Sequence, residues 1–302
     1  IEDPEGKTIT IHCEGNGGNV YMEDATGELQ FNTWTYTPGS TSVGTWNASS
    51  KTFTFASAAA GTGMLTASYK NANVFVMGAS RKGYTFLGWS TDKNATTGTY
   101  KENSNISTAT NMTVYAIWRI NNSTLTVKPN GGTWNGTTAD TPVKQNYGTT
   151  NGIENATGAT VYAWYNAMGG TAKYTSNHAV RNFTGWTFEA GNPTAGNWDA
   201  TNKVFTFGEY SGGTASLTAT WANVTFTFPT VTKTGYTFRG WNTSSTGKGG
   251  KAAGENFSRA SNITYYATWE ANKYKISIVN DPEKDKTPGI TKDVVYDSAT
   301  GA

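Results

Sequence analysis

The motif GYTFLGW at residues 83–89, followed by YAIW at 115–118, is repeated as GYTFRGW at 235–241 and YATW at 266–269. The interval of 152 residues that separates Trp89 from Trp241 also separates further pairs of identical apolar residues upstream. The first members of these pairs are Phe31, Trp34, Trp46, Phe53, Phe55, Leu65 and Ala67, and the second members are Phe183, Trp186, Trp198, Phe205, Phe207, Leu217 and Ala219. Because large apolar side chains form most of a protein core, this fixed interval indicates a repeated folding unit.

The composition is that of a folded, nearly neutral protein. Aromatic residues make up 13% of the 302 residues and charged residues 15%, with a formal net charge of +2. Since the lysines and arginines form no basic run, we expect no binding to nucleic acid and no membrane contact. The single cysteine, Cys13, excludes an intrachain disulfide and is compatible with either a cytosolic or an exported protein. The composition favours export.

Short alternating runs of apolar and polar residues dominate the sequence. Examples are residues 53–55 (FTF), 224–228 (VTFTF) and 276–278 (ISI), in which every second side chain is apolar. This period of two is typical of strands with one buried face, and it predicts a mainly β fold. Helix is expected only as a short crossing element, for which residues 101–110 and 253–261 are the candidates.

Turn signals divide the chain into units of two alternating types. Asn16-Gly-Gly18 and Asn130-Gly-Gly132 follow strand-like runs, and Asn-Gly supplies the positive φ angles that tight hairpins need. The five predicted domains are residues 1–70, 71–119, 120–222, 223–270 and 271–302. The first and third are the longer type, the second and fourth are compact, and the fifth is the truncated start of a further unit. Because such repeats contact mainly their neighbours, we expect an elongated array of small domains.

The first two predicted domains (1–119) form one copy of the repeat and the next two (120–270) form a second, called copy one and copy two. One stretch of copy two has no obvious equivalent in copy one. Between the Asn-Gly-Gly turn and the first Trp that repeats in register (Trp34 or Trp186) there are 15 residues in copy one (19–33) and 53 in copy two (133–185). Residues 133–182 are therefore interpreted as an insertion. Its aromatic residues Trp134, Trp164 and Tyr165 are candidates for an exposed binding surface, because aromatic faces stack on sugar rings or on partner side chains. The alternative is that Trp164, within VYAWY, belongs to the core of an added strand.

The tryptophans at repeated positions are predicted to be structural. They recur in register with the apolar residues around them, as core residues of a copied unit do. The positions assigned to this role are Trp34, Trp89, Trp118, Trp186, Trp221, Trp241 and Trp269.

The two motif pairs resemble the Listeria–Bacteroides repeat, also called the internalin B-type repeat. The residues that match its pattern are Gly83, Tyr84, Phe86, Gly88, Trp89, Tyr115, Ala116 and Trp118, and again Gly235, Tyr236, Phe238, Gly240, Trp241, Tyr266, Ala267 and Trp269. The resemblance implies small β-grasp-like domains in tandem on secreted or cell-wall-attached bacterial proteins, without catalytic activity or cofactor. Members of the family serve as spacers, adhesin segments or protein-contact modules.

No residue pattern in the chain points to catalysis or metal binding. The two histidines, His12 and His178, do not occupy the same repeat position, and with one cysteine they cannot form a zinc site of ordinary spacing. The carboxylates are scattered over non-equivalent positions, so no pair is indicated for general acid and base catalysis. We therefore predict no enzyme, no metal and no cofactor.

Three functions remain open at this point. The first is an extracellular spacer or adhesin segment, the second is a glycan-binding module that uses the aromatics of residues 133–182, and the third is a protein-contact module. The expected partner is a glycan or a surface protein, either of a host or of the producing cell. The chain itself is expected to be a monomer.

Overall fold

The computed structural model describes residues 1–57, 60–170, 175–279 and 288–297, and all regular elements in this part of the chain are strands. The predicted mainly β fold class is confirmed. The two helix candidates are wrong, because residues 104–108 and 256–259 form strands. Within the first of these, Ile106 is buried while Asn105 and Ser107 are exposed, which is the period of two of a strand.

The strands alternate with short turns along the whole described chain. In chain order they are β1 (Lys7–Glu14), β2 (Asn19–Val20), β3 (Asp24–Pro38), β4 (Gly44–Asn47), β5 (Thr52–Phe55), β6 (Gly63–Lys70), β7 (Ala72–Val76), β8 (Ala79–Ser80), β9 (Tyr84–Ser90), β10 (Ser104–Thr108), β11 (Met112–Ile120), β12 (Asn122–Lys128) and β13 (Thr141–Asn146). They continue as β14 (Thr150–Gly152), β15 (Thr160–Asn166), β16 (Thr175–Val180), β17 (Phe183–Ala190), β18 (Gly196–Asp199), β19 (Val204–Phe207), β20 (Thr214–Trp221), β21 (Val224–Thr227), β22 (Tyr236–Asn242), β23 (Asn256–Arg259), β24 (Ile263–Ala271), β25 (Lys273–Ile278) and β26 (Ile290–Val295).

Two matching sheets are built around a central parallel pair of strands. In copy one the sheet has the order β6-β3-β1-β11-β9, and β1 pairs with β11 in parallel. In copy two the order is β16-β15-β24-β22, and β15 pairs with β24 in parallel. The outer strands pair antiparallel in both sheets. A first strand that lies beside the last strand gives the β-grasp-like order that the resemblance implied.

Each of these sheets encloses its own apolar core. In copy one, β7 and β10 form a small second sheet whose apolar side chains pack on the core with Trp89 at its centre. In copy two, β21 and β23 supply the equivalent second sheet around Trp241. Trp89 and Trp241 are 0% and 1% exposed, and their indole N–H groups donate to the carbonyls of Met77 and Pro229.

The variable position of the GYTFxGW motif is a β-bulge. Gly88 pairs with Ile117 and Phe86 with Trp118, so Leu87 is left without an opposite residue, and Arg239 has the same position in copy two. Residues three apart in a regular strand point to opposite faces, and the extra residue restores them to the same face. Phe86 and Trp89 can therefore pack together, with ring centroids 5.3 Å apart.

The same arrangement of three aromatic rings occurs four times. In each, a Phe contacts the Trp three residues later and the aromatic residue that closes the unit, with centroids 5.3 to 6.3 Å apart. The four sets are Phe31, Trp34 and Tyr69; Phe86, Trp89 and Trp118; Phe183, Trp186 and Trp221; and Phe238, Trp241 and Trp269.

The sheets do not follow the predicted domain boundaries. β1, in the predicted domain 1–70, pairs with β11, in the predicted domain 71–119. β15 likewise pairs with β24 across the predicted boundary at residue 222. The chain divides into two compact units, of which the first comprises Ile1–Leu125, Val143–Gly152 and Ala190–Ala215, and the second Thr126–Pro142, Ile153–Glu189 and Ser216–Ala302.

Successive stretches of the chain alternate between two sheets. β12 and β13 share a sheet of order β13-β12-β20-β17, whereas β15 and β16, which follow them, share a sheet with β24 and β22. The chain then returns to the first of these sheets with β17 and β20 before it completes the second. The remaining sheets are β14-β19-β18, β2-β8, β4-β5 and β25-β26.

The interpretation of residues 133–182 as an insertion is wrong. Ile9, Ile11 and Cys13 of β1 are each buried, and 152 residues later Val161, Ala163 and Tyr165 of β15 occupy the same positions. In the 152-residue register the turn at 16–18 falls on Met168-Gly169-Gly170, and Met168 has a left-handed φ of 45°, as Asn16 (48°) and Asn130 (49°) do. The stretch without an equivalent in residues 1–118 is instead 122–152, which carries β12 to β14.

The glycine that opens the GYTF motif is hydrogen-bonded to the stretch of chain that follows the closing tryptophan. Asn121 donates its backbone N–H to the Gly83 carbonyl (2.9 Å), and its own carbonyl accepts the N–H of Tyr147 (2.8 Å). In copy two, Asn272 bonds in the same way to Gly235 (2.8 Å) and Tyr296 (2.9 Å). We call these two arrangements the repeat joint.

The repeat joint explains why its first residue is glycine. Gly83 and Gly235 both have φ of 77°, a left-handed conformation that residues with a Cβ rarely adopt. A Cβ on Gly83 would also overlap the ring of Tyr147, and one on Gly235 would overlap the ring of Tyr296. Both the backbone angle and the packing of the tyrosine ring therefore require glycine.

The substitution Gly83→Ala is expected to lower the free energy of unfolding by more than the roughly 1–2 kcal/mol cost of a left-handed alanine. The matched control is Gly254→Ala, since Gly254 has φ of 78° and nothing within 4 Å of a built Cβ. Urea unfolding of both variants, and of Gly83→Ala combined with Tyr147→Ala, measures the difference. Equal losses in the two single variants would show that the Tyr147 contact contributes nothing.

Candidate functional site

The outer face of β15 carries two aromatic rings. Val161, Ala163 and Tyr165 are buried in the core, so the alternation of the strand places Tyr162 and Trp164 on the opposite face, where both are half-buried. The rings of Tyr162 and Trp164 are stacked, with centroids 5.4 Å apart and an interplanar angle of 21°.

A third ring, from the neighbouring strand, extends this surface. His178 on β16 lies opposite Tyr162 in the strand register, and the two ring centroids are 5.8 Å apart. On the other side, Asn262 accepts a hydrogen bond from the Tyr162 backbone N–H (3.0 Å), which holds β15 beside the start of β24. We call Tyr162, Trp164 and His178 the aromatic patch.

Two of the three residues predicted to be exposed are buried. Trp134 is 6% exposed and lies in a tight turn in which its backbone N–H and carbonyl both bond to Thr137. Tyr165 is 2% exposed, its hydroxyl donates to the Thr227 carbonyl (3.3 Å), and burial raises its pKa. Both face inward because they share a strand or turn with core residues, so of the three only Trp164 lies on an outer surface.

The tryptophans predicted to be structural divide into three environments. Trp89 and Trp241 are fully buried. Three others are half-buried and donate their indole N–H to a backbone carbonyl of a turn: Trp118 to Gly15 (3.0 Å), Trp221 to Asn130 (2.9 Å) and Trp269 to Ala167 (3.1 Å). Trp34 and Trp186 pack against Phe31 and Phe183, but their buried indole nitrogens have no hydrogen-bond partner among the described residues.

The equivalent surface in copy one is charged instead of aromatic. Thr10 and His12 occupy the positions of Tyr162 and Trp164. His12 Nδ1 lies 2.8 Å from Asp24 Oδ1, and His12 Nε2 lies 3.4 Å from Glu14 Oε1. The hydrogen bond to Asp24, more than any other cause, holds the pKa of His12 above its ordinary value. Sequence reasoning missed this group because its members are brought together only by the pairing of β1 with β3.

Cys13, next to His12 on the inner face of β1, is chemically shielded. Its side chain is 2% exposed, and burial raises the pKa of the thiol to about 11. A thiol with such a pKa carries almost no thiolate at neutral pH, so Cys13 serves the core as a small apolar residue.

One surface groove contains a pair of opposite charges. A groove of about 430 Å³ lies beside Trp269 and is lined in part by Arg239, Lys248 and Glu270. Arg239 Nη2 is 2.6 Å from Glu270 Oε2, so its charge is already matched by a carboxylate.

The described residues contain no cluster of three or more His, Cys, Asp or Glu side chains that could hold a metal ion. Nor does the described part of the chain contain a helix long and apolar enough to cross a membrane.

The parallel central strands, the repeated aromatic sets and the repeat joint define a tandem repeat protein built of β-grasp-like units. The family model of the Listeria-Bacteroides repeat domain matches residues 52–117 and 204–268. The chain therefore carries two Listeria–Bacteroides repeats, and the resemblance inferred from the sequence is confirmed. This repeat is typical of bacterial surface and extracellular proteins.

Comparison with other proteins gives no further relatives. No curated protein matches the chain, and no solved structure does.

The raised pKa of His12 predicts a pH dependence of stability. Protonated His12 is stabilised by Asp24 in the folded state, so this contribution is complete below the unfolded pKa of about 6.5 and is lost as the pH rises through the folded pKa. A titration of the His12 ring by NMR should give a pKa above that of the urea-unfolded chain. In Asp24→Asn protein the His12 pKa should fall, and an unchanged value would contradict the assigned cause.

Proposed function

We propose that this chain is a non-enzymatic segment of a bacterial surface protein, in which the tandem repeats act as a spacer and present an adhesive region. The observation that supports this most directly is the repeat joint. Gly83, Asn121 and Tyr147 are connected by the same hydrogen bonds as Gly235, Asn272 and Tyr296.

A uniform joint serves a spacer because it connects each GYTF strand in the same way to the hairpin that follows its closing strand. The side chains around Asn121 add to this uniformity, since Thr85 donates its hydroxyl to the Asn121 side-chain oxygen (2.6 Å) and Thr237 does so to Asn272 (2.7 Å). The outer face of the first strand differs between the copies, since Thr10 and His12 of one occupy the positions of Tyr162 and Trp164 of the other. A module whose connections are the same in both copies while its outer surface differs suits a protein that holds other regions away from the cell.

A surface-display experiment tests the spacer role. The chain is placed between a wall anchor and an N-terminal epitope. A shortened form lacks residues 119–269, so that Trp118 is followed by Glu270, as Trp269 is in the native chain. We expect the epitope on the shortened protein to be less accessible to an antibody coupled to a large bead, whereas free antibody binds both forms equally. Equal bead binding to both forms would contradict the spacer role.

Glycan binding at the aromatic patch is the second candidate function. It is supported by the stacked rings of Tyr162 and Trp164 on an outer face, at positions where copy one has Thr10 and His12. Aromatic faces stack on the apolar faces of sugar rings, and hydroxyl groups of the sugar can pair with neighbours such as His178. The patch is specific to copy two, as a ligand site added to a scaffold would be.

A glycan array and affinity gels with cell-wall and host glycans test this candidate. Trp164→Ala protein should lose binding that the native chain shows, with the near-ultraviolet circular dichroism of the core tryptophans retained. His12→Ala is the matched control, because His12 occupies the same position in copy one and should leave binding unchanged. Binding that persists in Trp164→Ala protein, or an array without any signal, would rule out the patch as a glycan site.

A further inference from the structure

A groove lies at the end of the parallel strand pair β15–β24, and its lining residues all belong to the second compact unit. Its volume is about 310 Å³, at the lower end of the range for small-ligand pockets. Thr160 of β15 lines it, as do Ser261 and Asn262, which precede β24. The turn at 130–132 contributes Asn130 and Gly131. We call this feature the end groove.

Arg181 is the one charged residue among the described residues that line the end groove. Its Nη2 donates to the Gly131 carbonyl (3.0 Å), and its guanidinium lies 5.2 Å from the centroid of the Trp221 ring. Its Nε is buried and has no hydrogen-bond partner within the described part of the chain. The turn and the ring therefore hold the cation in place. Unlike Arg239, which is paired with Glu270, it has no carboxylate beside it in its groove.

Other cations beside aromatic rings in this protein belong to the repeated scaffold. Arg81 lies 3.8 Å from the ring centroid of Tyr84. Lys233, 152 residues after Arg81, lies 4.1 Å from the ring centroid of Tyr236. These two cations occupy the same position before the GYTF motif, so their role is shared by both copies. Arg181 is outside this register, and the repetition of the scaffold does not account for it.

The repeat position of Arg181 holds an apolar residue in copy one. Leu29, 152 residues earlier, is 6% exposed and packs in the core of copy one. The aromatic patch is specific to copy two in the same way. Copy two therefore differs from copy one in both features, the stacked rings and the cation, and both lie on the hairpin of β15 and β16 or directly after it.

The end groove and the aromatic patch are neighbours along β15. Thr160 lines the groove, and Tyr162 follows two residues later on the same face of the strand, at a distance of about 7 Å along it. Asn262 also lies next to both, since it lines the groove and accepts the Tyr162 backbone N–H. An oligosaccharide of a few sugar rings can therefore contact the patch and the groove together.

We propose that the glycan bound at the aromatic patch is acidic and that its carboxylate pairs with Arg181 in the end groove. One sugar ring stacks on Tyr162 and Trp164, and a neighbouring uronic acid residue enters the groove. A guanidinium suits a carboxylate in geometry as well as in charge, because its planar N–H groups can donate to both oxygens. Recognition of an acidic glycan rests on the glycan-binding function proposed for the patch and narrows it to one class of ligand.

Two matched probes test the carboxylate site on the native chain. Short oligomers of galacturonic acid are compared with their methyl esters, which have the same rings without the charge, by isothermal titration calorimetry. We expect the acid form to bind about tenfold more tightly, a factor that one charge-assisted hydrogen bond supplies. The difference should shrink at high salt, since the groove is open to solvent. The comparison requires no substitution, so its result is independent of the stability of any variant.

Substitutions of the cation identify the residue responsible. Arg181→Gln should lower the affinity for the acid form to that for the ester and leave the affinity for the ester unchanged. Arg181→Lys, which keeps the charge but not the planar fork, should give an intermediate affinity. Arg81→Gln is the matched control, because Arg81 also donates to a turn carbonyl, that of Asn16 (3.4 Å), but lies in the first compact unit. Its binding of both probes should equal that of the native chain, and near-ultraviolet circular dichroism verifies the fold of each variant.

Failure of the carboxylate site and failure of glycan binding give different results. Equal binding of acid and ester that Trp164→Ala abolishes would overturn the carboxylate site and leave the glycan function standing. A folded Arg181→Gln protein that still prefers the acid form would do the same. A native chain that binds neither probe and no glycan on the array would overturn both.

Discussion

The parallel pairing of a first strand with a last strand is the constraint on which the rest of this structure depends. β1 and β11, and likewise β15 and β24, lie side by side although many other strands are formed between them in the chain. Parallel neighbours cannot be joined by a tight turn, so the chain must leave the sheet and return to it. In this protein, part of the chain between the two parallel strands forms strands of other sheets. The alternation of stretches between sheets follows from this one requirement.

The aromatic sets show how a short sequence motif serves that architecture. The bulge at Leu87 or Arg239 places Phe and Trp on the same face of their strand, where they meet the tryptophan that closes the last strand. The closing tryptophan in turn donates its indole N–H to the turn that follows the first strand, as Trp118 does to Gly15. The motif therefore connects its own strand (β9 or β22), the closing strand (β11 or β24) and the turn that follows the first strand (β1 or β15).

Much of the scaffold could be predicted from the sequence, because large aromatic residues repeat in register and short alternating runs specify strands. The pairing of strands could not, since Ile9, Ile11 and Cys13 share with Val161, Ala163 and Tyr165 only a buried face and no residue identity. The turns at 16–18 and 130–132 share their letters and also their contacts, since the Asn16 side chain donates to the Ala116 carbonyl and the Asn130 side chain to the Ala219 carbonyl. In the 152-residue register, however, the counterpart of the first turn begins with Met168, which adopts the left-handed conformation without the asparagine that usually marks it.

The candidate site was predicted in part. The aromatic richness of VYAWY was evident, but its division between a buried Tyr165 and an outer Trp164 depends on the pairing of β15 with β24. His178 could not be assigned to this surface from the sequence, because it comes from the adjacent strand β16. The interaction of His12 with Asp24 likewise could not be predicted from the sequence, because it depends on the pairing of β1 with β3.

The alternation of strands between sheets also determines when the chain can fold during synthesis. Ile11 pairs with Met112 and Ala163 with Ile263, so each complete sheet must wait until the distant strand has left the ribosome. Contacts of such long sequence separation slow folding, and the early strands remain unpaired on their central edge until then. A chain of this kind completes its sheets later during synthesis than one made of locally closed domains.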